Sequence, residues 1–314
     1  MNHWSLFKQS WTILWRYKSL WVFGLLAALG GGGINFNWNV GQVRPIADLP
    51  LGARALLSDI FTPAAIGTLV IVGLAIGVVV FVLGTFAQGA LISLVSAIRD
   101  GQAVSVGMGM NAGTRRFVPL LAVRFLLALP LLIFGALAAG SFFAAFAGEF
   151  TRGGERLFNF GNLSTLVGLS GLVFILSILL GAIGIGAERA VVLEDSGIWT
   201  SIVRGWNLLW RKFADYFTIA LIFVVLAILV GLAFACVLVP IALGGVIGSI
   251  GNQLGQGLNP AIVAFNIAGP IVIIALLLGL IVGSLVAVFT SSVWTLAFRE
   301  WQSQGQVATT SMAT

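Results

Sequence analysis

The chain has 314 residues, 59% hydrophobic and only 8% charged, with a mean hydropathy of +1.09. Soluble domains carry about 25% charged residues, so this composition excludes a water-soluble protein and describes a membrane domain of several spans. The net charge of +6 is distributed as a membrane-topology signal rather than a nucleic-acid footprint, and a single cysteine, Cys236, excludes an intrachain disulfide.

Residues 3–17 read as an amphipathic helix lying in the membrane interface, with Trp4, Phe7, Trp11, Leu14 and Trp15 on one side. A first span follows over residues 19–36 and ends in Gly30-Gly31-Gly32-Gly33, which should fray or bend it. The tryptophans and the length of this leading segment argue for a retained span rather than a cleaved signal peptide. A polar loop carrying Arg44, Asp48, Arg54 and Asp59 leads to residues 64–98. That stretch exceeds one bilayer crossing, so the second span is expected to leave the membrane past Gln88 as a helix ending at Arg99-Asp100-Gly101.

Residues 104–116 occupy the place of a second interfacial helix, although three glycines weaken the signal and no tryptophan supports it. The third span covers residues 117–148, with kinks expected at Pro119 and Pro130. The fourth covers 163–187. Residues 198–213 form the most strongly amphipathic stretch, with Trp199, Trp206 and Trp210 recurring at helical spacing and Arg204, Asn207, Arg211 and Lys212 elsewhere on the wheel. The fifth span covers 214–243, an uncharged Gly-rich connection runs over 244–260, and the sixth span covers 261–298. Residues 301–314, rich in Gln, Ser and Thr, read as a disordered cytoplasmic tail after a single membrane domain over 1–300.

Six spans place both termini on one side. Only four of the sixteen Lys and Arg residues fall in the odd-numbered loops, where four acidic residues balance them. The other twelve lie on the side of the termini, which places the termini in the cytoplasm.

The chain also repeats itself. Ser10-Trp11-Thr12-Ile13-Leu14-Trp15-Arg16 aligns with Gly205-Trp206-Asn207-Leu208-Leu209-Trp210-Arg211, and Arg115-Arg116-Phe117 stands where Arg211-Lys212-Phe213 does. The expected fold is therefore an all-α polytopic membrane protein of six transmembrane helices. It is arranged as three hairpin repeats over about 3–100, 101–197 and 198–300, each preceded by an amphipathic interfacial helix.

Several short motifs carry a family resemblance: Ser10-Trp11 with Lys18-Ser19-Leu20-Trp21, Gly89-Ala90-Leu91-Ile92 before Arg99-Asp100-Gly101, and Leu193-Glu194-Asp195 followed by Arg204-Gly205-Trp206-Asn207-Leu208. Together they resemble the glycerophosphoryl diester phosphodiesterase membrane domain and the uncharacterised bacterial six-helix membrane proteins near it. The resemblance implies a multi-pass module of the bacterial inner membrane. In fused members the phosphodiesterase chemistry belongs to a separate soluble barrel with acidic and histidine metal ligands. No such segment stands in this chain, so no activity transfers.

The residue inventory points away from catalysis. A lone histidine, His3, and Cys236 cannot form a metal site, and no G-x-x-x-x-G-K-[ST] motif occurs. A serine nucleophile would lack a histidine base. No cofactor, metal or enzymatic activity is expected, and no nucleic acid.

What remains is polar groups inside the membrane. Arg124 lies about two turns into the third span, and Glu188, Arg189 and Asp215 fall at similar cytoplasmic depth, which makes these four a candidate polar cluster. It would line a cavity for a substrate or lipid headgroup, or else form a structural salt bridge. Gln88, Asn252, Gln253, Asn266 and Pro270 are weaker candidates, read first as groups that hydrogen-bond between helices, with a break of the sixth span at Asn266 before Gly269-Pro270 as the alternative. Gly73-x-x-x-Gly77 and Gly279-x-x-x-Gly283 read as helix-contact surfaces. Trp4, Trp11, Trp15, Trp199, Trp206 and Trp210 read as interfacial anchors. The expected partners are the bilayer, with anionic lipid, and a membrane-protein partner. The expected function is a scaffold, an accessory subunit of a membrane complex or an envelope-organising protein. The alternative is a transporter or channel for a small solute or lipid with its polar site near Arg124.

Overall fold

Lipid offers the backbone no hydrogen-bonding partners, so a chain this apolar must satisfy its amides internally. A computed structural model describes residues 3–32, 63–151, 160–256 and 260–312, and among these every regular element is a helix. In chain order they are α1 (His3–Arg16), α2 (Ser19–Ala27, continued by a π turn over Ala28–Gly32), α3 (Pro63–Arg99), α4 (Val106–Arg115), α5 (Phe117–Thr151), α6 (Phe160–Glu194), α7 (Ile198–Arg211), α8 (Phe213–Gln256) and α9 (Pro260–Met312).

Five of them are long and apolar enough to cross a membrane, over Val70–Arg99, Phe117–Ser141, Val167–Glu194, Phe213–Cys236 and Ile273–Gln304. Ser19–Gly30 is apolar but shorter. Its π turn falls on the glycine run expected to disturb it. The loop residues Arg44, Asp48, Arg54 and Asp59 lie outside the described residues.

Two expectations about helix ends need correction, and the alternative of a break at Asn266 and Pro270 is not what the backbone shows. The Gly-rich connection is helical through Gln256, because in an apolar stretch unpaired amides cost more than the low helix propensity of glycine. Helix α9 is continuous across Asn266 and Pro270. It also runs on to Met312, so the expected disordered tail is helical over 301–312. Trp301 is buried there against Tyr216, with ring centroids 5.0 Å apart, and Lys212 Nζ donates to Gln304 at 3.1 Å. These contacts hold the first turns of the extension.

The core sits at one end of the bundle. Buried side chains concentrate in Leu20–Ala27, in 84–97, at Leu120 and Val123, in 183–191 and in 284–301, whereas Val70–Val79 is exposed all round. Helices α3, α6 and α9 contact one another, α2 packs between α3 and α9, α5 packs against α3 and α6, and α8 packs on α9. Gly24 permits the α2–α9 contact, since a Cβ there would stand 2.7 Å from the Ser284 carbonyl oxygen. Gly30 of α2 and Gly84 of α3 meet backbone to backbone. By contrast nothing among the described residues lies within 4 Å of Gly73 or Gly77, so the first expected glycine contact surface meets no described helix. With forty glycines, spacing alone selects poorly.

The three short helices lie at the packed end. Helix α1 lies on α9, α4 on α3, and α7 on α6. Each buries a small residue, Ser10, Gly109 or Gly205, and each places an arginine six positions later: Arg16, Arg115 and Arg211. The tryptophans face outwards, from 79% exposed at Trp4 to 41% at Trp206. Trp11 and Trp15 meet edge to face at 5.8 Å and 67°, and Trp206 and Trp210 do so at 5.8 Å and 66°. The amphipathicity of α1 and α7 thus resolves into a small-residue face on the bundle and an aromatic face away from it.

Charged residues stitch this end together. Arg299 pairs with Asp100, Arg116 with Asp195, and Arg204 Nη1 with Glu194 Oε2 at 2.7 Å. Gly101 (φ 75°) and Asp195 (φ 57°) adopt the left-handed conformation just past α3 and α6, stopping those helices where the pairs form.

Candidate functional site

Helix α5 places Arg124 roughly 10 Å beyond its first residue, at 1.5 Å per residue. Helix α6 brings Glu188 opposite it, and Arg124 Nε donates to Glu188 Oε1 at 2.6 Å. Leu120 and Val123 of α5 and Ala187 and Val191 of α6 are fully buried against each other beside the pair, which fixes its register. The local sequence explains the arrangement: small and branched residues one position away on each helix close the seam, leaving the charged neighbours to meet at its edge.

The next residue, Arg189, is 1% exposed. Its Nη1 donates to the Ile185 carbonyl at 2.8 Å, while Nε has no hydrogen-bond partner among the described residues. Arg124, Glu188 and Arg189 line a cavity of about 370 Å³ bounded by the π turn after α2 and by α3, α5, α6 and α9. Gln88, Ser177, Thr290 and Ser291 add polar groups, and Leu127, Leu131, Leu180 and Trp294 are among its apolar lining. Ser291 Oγ is also buried without a partner among the described residues. Two guanidinium groups and one carboxylate leave the cavity with one net positive charge.

Three of the four expected cluster residues therefore meet. Asp215 does not join them: its Oδ2 accepts from Trp301 Nε1 at 3.2 Å, on the α8–α9 seam. Adjacent helix residues point in different directions, and it is Tyr216 that turns inward. Tyr216 is stacked on Trp301 and meets Trp294 at a tilt of 38°, its hydroxyl oxygen is buried without a hydrogen-bond partner among the described residues, and it lies within the electrostatic reach of Arg189. Gly186 leaves room for it, since a Cβ there would stand 3.2 Å from the Tyr216 oxygen. Ser291, Tyr216 and Trp294 were missed by the sequence reading. The available signal was the run Ser291-Ser292 inside an otherwise apolar helix. The side chains of Asn252, Gln253, Asn266 and Pro270 lie outside the described residues. Among the described residues, no group of three His, Cys, Asp or Glu could hold a metal ion.

The arrangement can hold a ligand. A buried cationic group with an unused donor, a second guanidinium held by a carboxylate, and several hydroxyl and amide groups can hold an anion, while the apolar wall accommodates a hydrocarbon portion. Fold and site together define a multi-pass helical membrane protein with a polar cavity inside its packed end. The chain belongs to the family described as a domain of unknown function, DUF7847, whose model matches residues 5–301. No curated protein and no solved structure matches it.

Proposed function

We propose that this protein binds a small anionic solute or an anionic lipid headgroup in the Arg124–Glu188–Arg189 cavity and moves it across or within the membrane. The observation that carries this reading is Arg189, a fully buried guanidinium at the cavity wall whose Nε–H has no acceptor among the described residues. A buried donor left unmade costs free energy, and a bound anion would recover it. Catalysis has no place in this reading.

The membrane frame proposed with it is six spans, α2 with the residues that follow it being the first. The spans form three hairpins in which α3, α6 and α9 are central and α2, α5 and α8 peripheral. Support comes from the common register of Ser10, Gly109 and Gly205 and from the paired tryptophan geometry of α1 and α7. Helix α1 on α9 then repeats the packing of α4 on α3 and α7 on α6. The distribution of Lys and Arg favours cytoplasmic termini and placement in a bacterial inner membrane, and the motif resemblance to the glycerophosphoryl diester phosphodiesterase membrane domain is compatible with that. In a Cys236→Ala background, Ser303→Cys is expected to react with an impermeant maleimide in inside-out vesicles and not in sealed right-side-out ones. The opposite labelling would invert the topology.

The binding reading is tested by calorimetric titration of the purified protein with inorganic phosphate, succinate and short-chain phosphatidylglycerol, followed by flux of the binder in proteoliposomes. Arg189→Gln is expected to weaken the binder by about 30-fold, corresponding to loss of a charged hydrogen bond of roughly 2 kcal/mol, while the protein stays monodisperse. Unchanged affinity in Arg189→Gln would remove the site.

A second reading, scaffold or accessory subunit, is favoured by the outward tryptophan rows of α1 and α7. It requires a stoichiometric membrane-protein complex on mild-detergent purification. That complex should dissociate when Trp199, Trp206 and Trp210 are replaced by alanine.

A further inference from the structure

A groove of about 450 Å³ opens at the charged end of the bundle, between α1, the end of α3 and α9, and shares no lining residue with the Arg124 cavity. Three cations line it, Lys8 and Arg16 of α1 and Arg99 of α3, and no Asp or Glu does. Elsewhere at this end Arg116, Arg124, Arg204 and Arg299 each pair with a carboxylate, whereas Arg115 and Arg211, at the aligned positions of α4 and α7, pair with none among the described residues and line no such groove. Lys8 and Arg16 pair with no carboxylate among the described residues. Arg99 is positioned by Nη1 donating to the Leu296 carbonyl at 3.2 Å, and it too pairs with no carboxylate among the described residues.

Helix α1 has three faces. Leu6, Ser10, Ile13 and Leu14 are buried on the bundle, and Trp4, Trp11 and Trp15 are exposed. The third face, Ser5, Lys8, Gln9, Thr12 and Arg16, lines the groove. The cations therefore lie alongside the tryptophan row on one short helix, and tryptophans of this kind sit at headgroup depth. A phosphate in the groove would have an apolar neighbour for the glycerol and acyl part of the same molecule.

We propose that this groove is a specific site for the phosphate of an anionic phospholipid, with Lys8, Arg16 and Arg99 as the donors. The assignment is independent of the ligand proposed for the Arg124 cavity. Its test uses the delipidated full chain in a neutral detergent at fixed ionic strength, titrated calorimetrically with short-chain phosphatidylglycerol, short-chain phosphatidylcholine and inorganic phosphate. Phosphatidylglycerol should bind tighter than the other two. Lys8→Gln and Arg99→Gln should each weaken it about fivefold, the effect of one cation near an anionic lipid surface. Arg115→Gln and Arg211→Gln, at the aligned positions of α4 and α7, should leave it unchanged. Arg99→Gln also removes the bond to Leu296, so Lys8→Gln, which removes no hydrogen bond of the fold among the described residues, is the decisive variant. In an Arg189→Gln background, where any phosphatidylglycerol held by the cavity is weakened, the remaining phosphatidylglycerol binding should still be lost on adding Lys8→Gln, which separates this site from the cavity. Equal affinity for the two lipids, or unchanged affinity in Lys8→Gln, overturns the proposal. Inorganic phosphate binding as tightly as phosphatidylglycerol, with the same loss in Lys8→Gln, overturns its lipid source and leaves a soluble-phosphate site.

Discussion

Glu188→Ala is expected to destabilise the protein by about 3 kcal/mol, the cost typical of removing one partner of a buried ion pair. The variant leaves the Arg124 guanidinium, 20% exposed in its side chain, wedged beside Leu120 and Val123 with no carboxylate in reach. Arg124→Ala should be milder. Glu188 then keeps Arg189 as its immediate neighbour, and the two charges still offset each other. Replacing both by leucine should recover most of the loss, because apolar pairs often match buried ion pairs in stability. Thermal unfolding of the four proteins in one detergent gives the comparison. If Arg124→Ala proved worse than Glu188→Ala, the carboxylate would not be serving both arginines.

Gly205→Leu should prevent α7 from docking on α6. Even the first atom of the new side chain, Cβ, would stand 2.5 Å from the Ile183 carbonyl oxygen and 2.9 Å from the Ala187 amide nitrogen. Backbone atoms at the centre of a helix cannot give way as a flexible side chain can, so Gly205→Ala should already cost about 1–3 kcal/mol through overpacking. That outweighs the roughly 1 kcal/mol that alanine gains over glycine in helix propensity. The leucine variant should lose more, and the outward face of α7, with Trp199, Trp206 and Trp210, would separate from α6 and its Glu194 contact. Gly73→Ala is the control: nothing lies within 4 Å of that position, and its melting temperature should stay equal or rise. A Gly205→Ala protein as stable as wild type would mean that α7 does not bear on α6 through this residue.

Much of the helix inventory was legible because composition and periodicity report on lipid and on amphipathic faces directly. The tryptophan spacing in Ser10–Arg16 and Gly205–Arg211 located two short helices, α1 and α7. The partnership of Arg124 and Glu188 was partly legible, since few charges stand inside the spans and each needs an answer. Other features were not. Whether Asp215 or Tyr216 faces Arg189 depends on the rotation of α8 about its own axis, and an all-round apolar helix carries no moment to reveal it. The close glycines, Gly24, Gly84 and Gly205, differ from Gly73 and Gly77 only in what another helix brings to them. The groove of Lys8, Arg16 and Arg99 joins residues from two distant segments and appears in no local spacing. The helical extension through 301–312 was misread because polar composition was weighed without the neighbours that Trp301 and Gln304 find.

The packing of α2 on α9 has a consequence for how the protein is made. Ser284 Oγ donates to the Trp21 carbonyl, a contact between residues 263 apart in sequence. At a ribosomal rate of about 10 residues per second, the first hydrophobic segment waits roughly half a minute after its own synthesis for that partner to emerge. During this interval Gly24 and the buried face of α1 lack the α9 surface they close on. On this timing the nascent N-terminal region is expected to be the part that most needs shelter during synthesis, until α9 is made.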